Sequence, residues 1–227
     1  MAGRVVVITG AFGILGSAVA KAATAQGAGL ALIDAAKAPA GVGGEALVLA
    51  ETDLTDPVQV GAAMAAIGER YGRIDALLNI AGGFVWEKIE GQDPSRWADL
   101  FRLNVVTAAN ASRAAIPHLR KSDHGRIVNV GSAAALKAGA GMGAYSAAKA
   151  GVHALTQALA EELKGDGITV NAVLPSIIDT PANRADMPDT DPSVWVAPDD
   201  LAAVILFLAS EASTAVTGSL VPVTGRV

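Results

Sequence analysis

The sequence predicts a single doubly wound α/β domain over residues 1–227, a parallel sheet of about seven strands with helices on both faces. Three observations predict it. Apolar runs of strand length alternate with stretches of helical period along the whole chain. A glycine-rich turn follows the first apolar run at once. The 227 residues are 52% hydrophobic and only 17% charged, enough to bury a core on each side of a parallel sheet.

The elements come in order. Residues 4–9 are a β-branched run of the kind buried on both faces of a sheet. Residues 14–26 place Leu15, Val19, Ala22 and Ala23 at helical spacing, and Gly27 and Gly29 close that helix. Residues 30–34 form the second strand, 46–50 the third, 58–71 a helix and 74–79 the fourth strand. Ser95 caps a long helix reaching about residue 120, with Pro117 near its end. Strand 125–131, helix 143–164, strand 168–174, helix 199–210 and strand 220–223 complete the alternation. Residues 175–198, rich in Pro, Asp and Asn, resist it. A loop of that length after a strand's C-terminal end reads as a substrate lid, because ligands of such sheets sit there.

Composition narrows the function. The longest apolar run, Leu201 to Ala209, is far short of the roughly 18 residues of a membrane span. The stretch after Met1 lacks the apolar segment of an export signal, so the chain reads as cytoplasmic. The absence of cysteine excludes disulfides, thiolate metal sites and a thiol nucleophile. A net charge of −5 offers no general attraction to nucleic acid or to an anionic membrane. The partner predicted is a small molecule.

Thr9-Gly10-Ala11-Phe12-Gly13-Ile14-Leu15-Gly16 joins the first strand to the first helix. Glycines there let backbone approach a pyrophosphate at a helix N-terminus. Three glycines at these offsets arise by chance roughly 0.3 times in such a chain, so the strand-turn-helix context carries the signal. Asp34, eighteen residues beyond Gly16, is placed to accept hydrogen bonds from an adenosine ribose and to repel a 2′-phosphate. That favours NAD(H), although nearby Lys37 leaves NADP(H) open. Asp53-Leu54 fits either the adenine edge or a helix-start signal before Pro57.

Tyr145 and Lys149, four apart at a helix start, share one face. A phenol titrates near 10, and a neighbouring ammonium stabilises its phenolate, so the pair reads as an acid/base with its activator. Two exposed helix residues is the alternative. Ser132, thirteen residues before Tyr145, is either a hydroxyl aimed at the same oxygen or a loop cap. His118, His124 and His153 lack metal-ligand spacing with a carboxylate, and no catalytic metal is expected.

These motifs together resemble the short-chain dehydrogenases/reductases, over essentially the whole chain: the glycine turn, Asp34, Asn79-Ile80-Ala81-Gly82, Asn104, Ser132, Tyr145, Lys149, and Pro175 with Thr180. The resemblance implies a Rossmann-type domain and a nicotinamide cofactor touching Gly10, Phe12, Gly13, Ile14, Leu15, Gly16, Asp34, Asp53, Leu54, Asn79, Ala81, Gly82, Tyr145, Lys149, Pro175, Ile178 and Thr180. It implies that Tyr145 is the acid/base, that Lys149 lowers its pKa and holds the nicotinamide ribose, that Ser132 orients the substrate oxygen and that Asn104 supports a water relay. It implies a homo-oligomer, a tetramer or else a dimer, packed through helices 95–120 and 143–164.

The chain departs from the common pattern at Gly13, at Ile80 and at Ser176. With Gly83, Gly141-Met142, Asp179-Thr180-Pro181, Asn183-Arg184, Met187-Pro188 and Trp195, those departures resemble quinonoid dihydropteridine reductases. There Phe84, Trp86 and Trp195 either stack on a flat ring or serve loop packing or a subunit contact. Ser132 fits carbonyl or alcohol chemistry better. The expectation is an NAD(H)-preferring oxidoreductase of a small carbonyl or alcohol. Pterin reduction is the alternative, and an NAD-binding sensor or scaffold without turnover is a rival from another class.

Overall fold

The computed structural model describes residues 1–227. Seven strands form one fully parallel sheet in the order β3-β2-β1-β4-β5-β6-β7: β1 Val5–Thr9, β2 Gly29–Ile33, β3 Leu47–Leu49, β4 Ala76–Asn79, β5 Arg126–Val130, β6 Thr169–Pro175 and β7 Leu220–Val223. The order reverses between β1 and β4, and such a switch point opens a crevice at the strands' C-terminal ends. Thr9 pairs with Asn79 and Asn79 with Asn129, so three buried polar residues stand in register across the strand ends beneath that crevice.

Alternate side chains leave opposite faces of each strand. Val5, Val7, Leu77, Ile127 and Val170 pack under α2 (Pro57–Tyr71), α4 (Thr107–Leu119) and α5 (Gly143–Leu163). Val6, Ile8, Leu78, Val128 and Val173 pack under α1 (Ile14–Ala25) and α7 (Pro198–Leu208). The uninterrupted apolar strands thus serve two cores.

The structure corrects the sequence reading at two segments. Residues 95–120 are not one regular helix: α3 (Ser95–Phe101) and α4 are joined by a π-helical turn, Arg102–Val106. Wide turns of this kind leave no hydrophobic-period signal and concentrate at functional sites. Residues 175–198 are not an unstructured loop. Thr180 accepts from the Asn183 N–H at 3.2 Å and, with Pro181 in the first turn, starts α6 (Pro181–Asp186). A 3-10 turn comes next at Pro192–Val194, and Ile178 bridges to Val196.

Asp75 lies at the opposite, N-terminal ends of the central strands. Its carboxylate accepts from the Val5 N–H at 2.7 Å, from Arg73 Nε at 3.0 Å and from the Ser122 hydroxyl. Burial pushes the carboxyl up, but these donors outweigh it and hold the group below its ordinary 3.8. A depressed folded-state value stabilises above the unfolded value. That contribution is complete above about pH 4 and is lost as the pH falls through the lower, folded-state value. Asp75→Ala is expected to destabilise by about 1–3 kcal/mol in urea unfolding at pH 7, with a smaller deficit near pH 3.

Candidate functional site

The glycine turn is built by close approach. Gly10 has φ +65° and its Cα faces Ala81, so that an added Cβ would lie 2.8 Å from Ala81 N. A Cβ at Gly16 would run into the Gly10 carbonyl oxygen and reach 2.8 Å from Ala11 Cα. Thr9 Oγ1 accepts from the Ile80 and Ala81 N–H groups at 3.1 and 3.2 Å, binding the end of β1 to the turn after β4. Gly13 is the N-cap of α1; Ile14 is exposed and Leu15 is buried in the core beneath. The exposed helix N-terminus and its bare backbone form a cradle that fits a pyrophosphate.

Asp34 follows β2. Its Oδ2 accepts from the Phe12 N–H and its Oδ1 from the Ala36 N–H, both at 2.9 Å. The carboxylate therefore stands fixed beside the glycine turn, with lone pairs left for ribose hydroxyls. Asp53 is exposed after β3 and accepts from the Thr55 N–H at 2.8 Å. The helix-start role belongs instead to Asp56, which caps α2, and Leu54 is buried.

Asn79 does not face the crevice. Its amide is buried and donates to Asn129 Oδ1 at 2.8 Å and to Ser112 at 3.1 Å, tying the ends of β4 and β5 to α4. Gly82 lies against two site groups: an added Cβ would sit 2.5 Å from Asn104 Oδ1 and 3.4 Å from Lys149 Nζ. Asn104 occupies the π-helical turn, fully buried. Its Nδ2 donates to the carbonyls of Gly83 and Leu100, and its Oδ1 accepts from the Gly83 N–H at 3.2 Å. The side chain pins the 82–83 turn beside Lys149.

Ser132, Tyr145 and Lys149 come together where β5 ends and α5 begins. Lys149 is buried and donates to the Val130 carbonyl at 2.8 Å. Burial pushes its ammonium down to about 8. Its Nζ stands 5.9 Å from the Tyr145 ring centroid. Ser132 Oγ accepts from the Ala134 N–H at 3.2 Å, capping the turn Ala133–Ala135 and keeping the hydroxyl proton free to donate. The two readings of Ser132 are thus compatible. Burial acts against the expected acidification of the phenol. Burial pushes Tyr145 above its ordinary 10.0, and the Ser132 hydroxyl opposes that only in part. Removing the phenolate from water outweighs the Ser132 hydrogen bond.

Pro175 ends β6, Ile178 pairs with Val196, and Thr180 caps α6, so all three lie on the segment rising from the crevice's far side. Trp195 is buried, which is the loop-packing role and not the stacking one.

A family model described as short chain dehydrogenase matches residues 4–191. The chain belongs to the short-chain dehydrogenase/reductase family. It is an oxidoreductase. The D-beta-hydroxybutyrate dehydrogenase of Cupriavidus necator is 31% identical, over 96% of this chain and 95% of that one. The meso-2,3-butanediol dehydrogenase of Serratia marcescens is 35% identical, over 98% and 93%. Among solved structures, carveol dehydrogenase from Mycobacterium avium in complex with NAD superposes with a TM-score of 0.86 at 27% identity, covering 99% of this chain and 97% of that one. The cofactor class of this short-chain dehydrogenase is accordingly a nicotinamide nucleotide.

The sequence reading gave His153 no part in the site beyond its lack of metal-ligand spacing. Its buried Nε2 accepts from the Ser132 N–H at 3.3 Å, one helical turn below Lys149. A Cβ on Gly131 would lie 2.5 Å from that nitrogen, so the glycine admits the imidazole against the backbone that carries Ser132. Burial and the Lys149 charge hold the imidazole below its ordinary value, in the neutral form that accepts. The available signal was its position, four after Lys149 on the same face. His153→Leu is expected to lower kcat about 10–100-fold with unchanged NADH affinity. His153→Gln, which keeps an acceptor, is expected to recover most of the loss in the same assay.

Proposed function

We propose that this chain is an NAD(H)-preferring dehydrogenase/reductase acting on a small carbonyl or secondary alcohol, with Tyr145 as the acid/base. The observation that carries the reading is the gathering of Ser132, Tyr145 and Lys149 at the crevice above β5. When bound, the nicotinamide supplies or accepts the hydride. In reduction, Tyr145 gives its phenolic proton to the carbonyl oxygen as charge develops there, and Ser132 donates a hydrogen bond to the same oxygen. Lys149, mostly protonated at pH 7, stabilises the phenolate left behind. A phenol held above its ordinary value is fully protonated at neutral pH and poised to donate.

Asp34 supports the cofactor preference. Its fixed carboxylate favours ribose hydroxyls and repels a 2′-phosphate. Self-association is part of the same reading. Trp97, Phe101 and Leu103 are exposed along α3 and the π turn, and Ala147, Ala150 and Ala154 are exposed on α5, which gives two flat, apolar helix faces to pair.

Tyr145→Phe is expected to lower kcat about 10²–10⁴-fold, with NADH affinity by fluorescence titration unchanged. A variant with full turnover overturns the acid/base assignment. Asp34→Ala is expected to raise the ratio of kcat/KM with NADPH to that with NADH by about tenfold. An unmodified protein that already favours NADPH overturns the preference.

A further inference from the structure

The space above Tyr145 has a distinctive rim. Phe84 meets the Tyr145 ring edge-on, centroids 4.9 Å apart and planes at 86°, yet remains 51% exposed. Trp86, 56% exposed, lays its indole on Gly141, whose φ of +75° and missing side chain make room: a Cβ there would lie 2.6 Å from the indole nitrogen. The Glu87 N–H donates to the Gly141 carbonyl at 2.9 Å. Two segments, one after β4 and one before α5, are thereby clasped into a single aromatic edge beside the phenol. Large aromatic faces left open at a site mark contact with an apolar partner.

The cations near this edge are either paired with a carboxylate or exposed to solvent. Arg96 pairs with Glu87 at 3.5 Å. Arg184, on the segment after β6, makes a bidentate pair with Asp179 at 2.6 and 2.8 Å. Lys88 and Lys137 are exposed to solvent, where an ammonium is strongly hydrated and contributes little to holding an anion. Arg184 is thereby not free to grip a carboxylate or phosphate fork-to-fork, and Arg96 is held towards Glu87.

We infer that the substrate is a neutral ketone or secondary alcohol carried on a flat apolar ring system, with Phe84 and Trp86 as the residues that select it. The inference rests on Tyr145 as the group that faces the reacting oxygen. In the reducing direction the ketone carbon gains a hydride from NADH, and the oxygen gains the Tyr145 proton. NAD and the secondary alcohol are the products, and Tyr145 is reprotonated from water.

The test uses the full chain saturated with NADH. It compares 1-tetralone, which is flat and neutral, with acetoacetate, which is small and anionic, both by calorimetric binding and by turnover. Tetralone is expected to bind at least tenfold more tightly and to show at least tenfold higher kcat/KM. Trp86→Ala and Phe84→Leu are each expected to lose at least fivefold of tetralone affinity while acetoacetate binding stays unchanged. Thermal unfolding and NADH affinity at the parent level verify that the variants are folded. Equal or tighter binding of acetoacetate, no binding of either compound, or variants that bind tetralone as the parent does overturn the inference. Tetralone binding in the expected order without turnover supports the ring recognition and defeats the hydride-transfer reading instead.

Discussion

The site depends on one costly act, placing the Lys149 ammonium inside the protein. A buried cation is tolerable only with an acceptor at hand, and the Val130 carbonyl at the end of β5 provides it. The surroundings answer that demand. Gly82 lacks a side chain because Lys149 and Asn104 lie against it, and Asn104 locks the 82–83 turn from both sides. His153 stays neutral, partly because a second cation one turn away would be repelled. The sheet's C-terminal edge is thus a rigid frame around one displaced charge, and Tyr145 inherits its position from that frame.

Much of the architecture was legible because the code for it is local. β-branched runs, glycine stops and helical spacing located seven strands and the main helices, since a parallel sheet buried on both faces has a strong periodic signature. Tyr145, Lys149 and Ser132 were legible from spacing, because a helix puts residues four apart on one face. The order of the strands brings Ser132 alongside them.

The features that escaped were set by tertiary contact. The π turn around Asn104 has no local signature, because its cause is the fit of an amide against Gly83. Residues 175–198 looked like loop by composition, but Thr180-Pro181 was a helix start within them. Trp195 could not be told from an exposed aromatic until the chain closed over it. The direction in which burial moves Tyr145 was hidden for a related reason: spacing reveals the neighbouring cation but not how much water burial removes from both groups.

The wide turn at Arg102–Val106 carries one residue more than a regular helix would hold. Each added residue rotates the helix beyond it by about 100°. Trp97 and Phe101 are exposed on α3, Ala111 and Ala115 are buried on α4, and the insertion sets the rotation between those faces. Deleting a single position there would mend the backbone ladder while swinging Asn104 away from Gly83. Local regularity and the working geometry are set against each other at this point of the chain, and the irregular form is the one that holds the site.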